Sequence, residues 1–419
     1  MNRERHATDR AAGIAKMALL VLAVTFIANA LVRGIQDTYA VFLLPISDDL
    51  GWQRAAVSSV YSVTFAVAGL SGPLVGWLFD RWGPRRLYVL GVFAAAAGCA
   101  LCSQVQTLWQ FYLVLGVLFG FAAASVGFVP MAALLSRWFR ERLNTALAIG
   151  HASHGIGILL LAPTTQALIA SFGWRQAYLA LALIVLAMLP LVLLVPWRRA
   201  VAGHPVYMRP QAAPGDGGDR DGLPGPGLGA AARTAAFWGI ALSFFFTSVA
   251  MFSVILQTPA YLEAVGYSPS EAARAFGLLG LLLPVGMIGF GWLGDHIGRR
   301  RAALISYVIT FAGIFSLTLL SDGPSPWVLG FFVIAFGSTF GSRGPAMSTI
   351  AARLFGGPHF GRIYGSVTAL MGIGGAVGAW LGGYLVDTTG GYLAGHIAAM
   401  IAIVCGATPF VVVPAIART

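Results

Sequence analysis

The stretch GWLFDRWGPRR, residues 76–86, returns 215 positions later as GWLGDHIGRRR, residues 291–301. The shorter SRWF, residues 136–139, returns as ARLF, residues 352–355, at an offset of 216. Two matches at nearly one spacing mark a tandem duplication, not an isolated motif. Each copy of the longer stretch closes an apolar run with a basic turn. The chain therefore reads as two equivalent halves in parallel order.

Composition says what the halves are made of. Of 419 residues, 58% are hydrophobic and 10% are charged. The apolar runs are too long for the core helices of a water-soluble domain. A hydrocarbon layer about 30 Å thick takes roughly 20 apolar residues as a helix, because every backbone N–H and C=O must be paired within the segment. Twelve stretches meet that demand, near 17–44, 55–79, 86–104, 108–136, 143–170, 175–195, 235–262, 271–294, 302–320, 326–352, 362–386 and 392–414. The expected fold is an all-α integral membrane protein of twelve helices in two six-helix, pseudo-symmetric halves. Its expected organisation is an N-terminal tail (1–16), a first half (17–195), a linker (196–234) and a second half (235–419). The linker holds PQAAPGDGGDRDGLPGPGLG, whose Pro, Gly and Asp content cannot build a core. The basic start followed by MALLVLAVTFI and Ala28-Asn29-Ala30 imitates a cleaved signal, but the apolar run continues through TYAVFLLPI and is counted as the first span.

Charge placement orients the chain. With an even number of spans both termini share one side, and that side collects 21 of the 26 basic residues. The other side has Arg54, Arg175 and Arg274, and the remaining two, Arg33 and Arg343, fall inside spans. By the positive-inside rule both termini are cytoplasmic. The net charge of +11 is thus a topology signal, and no nucleic-acid partner is expected. Cys99, Cys102 and Cys405 all lie within spans and form neither a disulfide framework nor a metal set. No nucleotide-binding loop, HExxH or Ser-His-Asp signature is present, so neither an enzyme nor a cofactor is expected.

The GxxxDRxGxRR element after the second span, its degenerate copy after the eighth and the 6 + 6 layout resemble the major facilitator superfamily over the whole chain apart from the tail and linker. Within it, GWQRAAVS (51–58), RWF (137–139) and HFGRIYG (359–365) resemble the monocarboxylate and oxalate/formate transporter group and its bacterial relatives. That resemblance implies alternating access, with a substrate site between the halves. It also implies a cytoplasmic latch of Asp80 and Arg85, matched by Asp295 and Arg300 in the second copy. The high Arg:Lys ratio and short loops point to a bacterial inner membrane. A monomer in the lipid bilayer is expected.

Candidate site residues follow from polarity at depth. Arg343 lies ten residues before Arg353, roughly 15 Å into the span. A cation there costs about 2.5–3.5 kcal/mol on insertion scales, so it faces a water-filled path or a partner. Ser342, Gly344 and Pro345 should open the helix beside it. In the resembling group such arginines are associated with carboxylate binding, which suits guanidinium geometry. The bland alternative locks Arg343 to helix-end carbonyls or to Asp37. Arg33 and Asp37, four apart, share a helical face and can pair. Where the resembling group often carries a basic residue, this chain reads Gln36-Asp37-Thr38-Tyr39-Ala40-Val41-Phe42, which makes Asp37 a candidate proton acceptor or gate. Imidazole as a group titrates near neutral pH, so His151 and His154 in the fifth span are proton-coupling candidates, with His154 also a candidate substrate donor. Tyr61, Gln257 and Tyr364 complete the polar candidates along the path.

These residues support a secondary carrier for a small organic anion, a monocarboxylate by resemblance, with Arg343 as anchor and with protons or a second anion as coupling partner. The competing readings are a proton-coupled exporter of drugs or cations using Asp37, and a non-transporting ligand sensor on the same fold.

Overall fold

The computed structural model describes residues 2–139, 143–203, 228–355 and 360–417. All regular structure among them is helical. Ten helices are long and apolar enough to cross a membrane, from Gly13–Leu50 to Leu393–Val412, and two shorter apolar helices, Arg54–Leu70 and Pro326–Thr339, stand where the second and tenth spans are expected.

The first span is Asn2–Asp37, continued after a turn at Thr38 by Tyr39–Leu50. Its helix runs through the expected tail. The second span, Arg54–Leu70, breaks at Ser71 and resumes at Gly72. The chain then turns at Gly83, whose φ of 76° and ψ of 164° only glycine adopts without strain, and Pro84 opens the third span. Gly298, 215 positions later, makes the same corner with φ 90° and ψ 143°. The repeated glycine thus does the same work in both copies.

The tenth span is two helices, Pro326–Thr339 and Arg343–Phe355. Its break falls at 340–342, where Gly341 and Ser342 weaken the helix, just before Gly344.

Of the expected linker, residues 204–227 lie outside the described residues. Its beginning is not loose. Trp197–Ala202 is a short helix with Trp197 and Ala200 buried. Trp138 Nε1 donates to Ala200 O at 2.8 Å and Arg137 Nη1 to Val201 O at 3.0 Å. Indole and guanidinium donors thereby satisfy carbonyls at a helix end.

Close contacts between the first six spans and the last six lie at the side opposite the termini and at mid-depth. In the fifth and eighth spans, a Cβ on Gly280 would sit 2.7 Å from Gly155 O, so only glycine allows this approach. Ser62 Oγ of the second span donates to Ala376 O of the eleventh at 2.7 Å, and Gln257 Nε2 of the seventh donates to Ser58 Oγ at 3.0 Å. The series Gly374, Gly378 and Gly382 packs on Phe245, Val249 and Ser253 of the seventh span, within one half. Toward the termini, among the described residues, such approaches stop: a Cβ on Gly69, Gly72, Gly365 or Gly372 would meet nothing within 4 Å. Among the described residues the structure is closed on one side and open on the side of the termini.

Candidate functional site

The site begins with the kink in the first span. Ending one helix at Asp37 and starting the next at Tyr39 sets the Asp37 carboxylate at a bend, about 20 Å inside the Leu50 end by helical rise. The Tyr61 hydroxyl of the second span donates to Asp37 Oδ1 at 2.7 Å. His154 Nε2 of the fifth span meets Oδ2 in a hydrogen-bonded ion pair. Three spans thus converge on one acid.

His154 is held in register from below. Asn29 Nδ2 of the first span donates to Ser153 Oγ at 2.7 Å, and Gly34 and Gly157 let the two helices touch. Tyr61 is fixed by rings: it stacks with Tyr39 at 5.9 Å between centroids and lies 6.2 Å from Phe252 of the seventh span. Locked neighbours keep the acid's two partners in place.

Asp37 and Tyr61 open onto a cavity between the halves, whose wall continues through Ile158, Phe252, Leu256, Phe276 and Phe340. Asp37 is the one charged residue among the described residues that line it. A partly buried carboxylate with an imidazole on one oxygen and a phenol on the other can take up or release a proton with little rearrangement.

The expected Arg33–Asp37 pair is not formed. Arg33 Nη1 donates to Gln36 Oε1 at 3.0 Å, while His154 and Tyr61 occupy the Asp37 oxygens. The only ion pairs among the described residues are Asp37–His154 and Asp49–Arg175. Arg33 therefore stands one helical turn from Asp37, about 6 Å along the axis, with no carboxylate of its own.

Arg343 does not line the cavity. It is 4% exposed, and the ninth span wraps it. Nε donates to Ser306 Oγ at 3.0 Å, Nη2 donates to Ser306 O at 2.9 Å and to Thr310 Oγ1, and the guanidinium lies 4.3 Å from the Tyr307 ring centre. Serine and threonine close the fork more cheaply than a carboxylate could, since no second charge is desolvated. Nη1 remains without a partner among the described residues.

His151 stacks on Phe128 at 4.2 Å, away from Asp37. Gln257 is engaged at the closed side by Ser58, and Tyr364 packs near Phe244, 6.5 Å between rings. Asp80, Arg85 and Asp295 are exposed at the open side, and Arg300 Nε donates to Phe410 O at 2.8 Å.

A second acid escaped the sequence reading. Asp387, near the end of the eleventh span, accepts from Arg54 N at 3.2 Å and Ala55 N at 2.6 Å, the first amides of the second span. Arg54 in turn bonds the Tyr392 hydroxyl and lies 5.3 Å from that ring centre. A carboxylate on a helix N-terminus is worth about 1–2 kcal/mol. Asp387→Ala is therefore expected to raise the population open on this side by roughly 5- to 30-fold. Labelling of a cysteine at Ser62 by an impermeant maleimide, with the native cysteines replaced, measures it. Unchanged labelling would remove Asp387 from the closure.

Comparison with known proteins agrees with this architecture. A profile of the Major Facilitator Superfamily matches residues 22–342 and 290–418. The chain is 28% identical over 398 residues to monocarboxylate transporter 13 of Rattus norvegicus, covering 94% of this chain and 88% of that one. It is 26% identical over 412 residues to monocarboxylate transporter 11 of Homo sapiens, covering 94% and 82%. The fold matches a bacterial homolog of the human lysosomal transporter Spinster, in an inward-facing and occupied conformation, with a TM-score of 0.67 at 15% identity, covering 93% and 95%. Profile, relatives and fold, each running nearly end to end, agree that the chain belongs to the Major Facilitator Superfamily and is a multi-pass membrane transporter, not an enzyme.

Proposed function

We propose that this transporter is a secondary carrier for a monocarboxylate, moved together with a proton across a cell inner membrane by a monomer with cytoplasmic termini. The observation that carries the proposal is the Tyr61–Asp37–His154 cluster at the edge of a cavity between the halves, with Arg33 one turn away. Relatives named as monocarboxylate transporters over 94% of the chain support the substrate class.

The coupling follows from electrostatics. A substrate carboxylate entering beside ionised Asp37 would place two anions in contact in a poorly solvated site. One proton removes the conflict. With Asp37 protonated, His154 and Tyr61 are released from its oxygens and become donors to the substrate, and Arg33 supplies the compensating charge. Loading then adds one anion and one proton, so the loaded carrier has the same net charge as the empty one. The state described above, closed on the side opposite the termini, is the inward-open one in this reading. Asp80 with Arg85, and Asp295 with Arg300, are proposed to latch the cytoplasmic side in the opposite state.

One observation favours a second reading. Asp37 is the charged residue lining an otherwise apolar cavity, an arrangement that also suits an organic cation exchanged for a proton. The species carried separates the two in proteoliposomes, since a one-for-one exchange of cation and proton is electroneutral as well. Electroneutral symport is driven by a pH gradient and unaffected by a valinomycin-set potential. Uptake of an organic cation against a proton gradient, with no carboxylate flux, would establish the exporter instead.

A further inference from the structure

The cavity is polar at one end only. Its N-terminal wall supplies Asp37 and Tyr61, with Ala40 and Ile158. Its C-terminal wall is built of Phe, Leu, Ile and Gly, among them Phe252, Phe276, Phe336 and Phe340, with no polar or charged side chain among the described residues. The four phenylalanines stand on three different spans. Phe252 and Phe340 meet edge to face at 6.0 Å between centroids, and Phe336 and Phe340 lie 6.2 Å apart.

Resting on the monocarboxylate reading above, we infer that the substrate has an unsubstituted apolar, aromatic body, its carboxylate at the Asp37–Tyr61–His154 end and its body against the phenylalanine wall. Two magnitudes decide this. Each buried methylene improves binding by about fourfold. A hydroxyl on the body would lose its water and find no partner on the C-terminal wall, at a cost of roughly tenfold. Aromatic rings lining the cavity favour a ring over a chain of equal area. Short hydroxy acids gain little from such a wall, and a second carboxylate has no counter-charge there.

The test measures the affinity of the purified full-length carrier in detergent, by titration calorimetry, for acetate, lactate, phenylacetate, 4-hydroxyphenylacetate and phenethylamine. Phenylacetate is expected to bind at least about 30-fold tighter than acetate or lactate, by the methylene increment above. The 4-hydroxy compound should bind about tenfold more weakly than phenylacetate. Phe340→Ala should reduce the ratio of phenylacetate to acetate affinity severalfold, with Phe340→Leu between. That ratio is taken within one sample, so a general loss of folded protein does not alter it. Equal or tighter binding of acetate or lactate would overturn the inference and leave the carboxylate reading standing. Binding of phenethylamine with no carboxylate bound would overturn both.

Discussion

Asp37→Asn should abolish accumulation driven by a pH gradient while sparing exchange. In proteoliposomes, net of protein-free vesicles, a one-unit gradient drives about tenfold accumulation through a one-proton symporter. The variant should bring substrate to equality and no further. The reason lies in the cluster: asparagine keeps an oxygen for the Tyr61 hydroxyl but cannot gain or lose the proton that lets the substrate carboxylate enter. The neutral side chain resembles the loaded state, so substrate-for-substrate exchange should remain within about threefold of wild type. Loss of exchange as well would make Asp37 a general structural or binding residue, not the coupling group.

The two membrane arginines should separate by function. Arg33→Gln is expected to weaken carboxylate binding about 10- to 100-fold, the scale of a hydrogen bond to a charged group at about 1.5–3 kcal/mol. Arg343→Gln is expected to change the same affinity by less than about threefold, because Ser306 and Thr310 engage its guanidinium and no contact brings it near Asp37, whereas Arg33 stands one helical turn from that acid. Binding titrations on both variants decide the matter. Loss of binding in Arg343→Gln with Arg33→Gln unaffected would restore Arg343 as the anchor.

The fold was legible because its signals are long and redundant. Apolar runs of about 20 residues, a duplicated basic corner and one-sided arginines all pointed the same way. The glycine corners at 83 and 298 even carry the repeat down to backbone angles. At the site, the sequence offers Asp37, Tyr61 and His154 as separate candidates, but nothing in it says that they meet. Their convergence depends on helix rotation, set by contacts such as Gly34 on Gly157 that involve residues 123 apart.

Arg343 shows where reasoning from cost alone fails. A buried cation needs partners, and carboxylate is the partner that sequence makes visible. Here neutral groups on a helix 33 to 37 residues away supply them, and Ser306, Tyr307 and Thr310 look like ordinary small or aromatic span residues until they are folded together. Asp387 did leave a trace. An acid near a helix C-terminus opposes the macrodipole, so it calls for compensation from elsewhere, which the amides of Arg54 and Ala55 provide. The phenylalanine wall left none, since one aromatic residue in an apolar span reads like any other.

The central claim is that carboxylate and proton bind together at Asp37, and it can be tested without a membrane. Purified carrier in weakly buffered detergent near neutral pH, with a pH indicator, is titrated with a carboxylate that it binds. The account predicts uptake of up to one proton per carrier at saturation, and none in Asp37→Asn. Binding of a carboxylate without proton uptake in the wild type, or proton release on binding an organic cation, would contradict it.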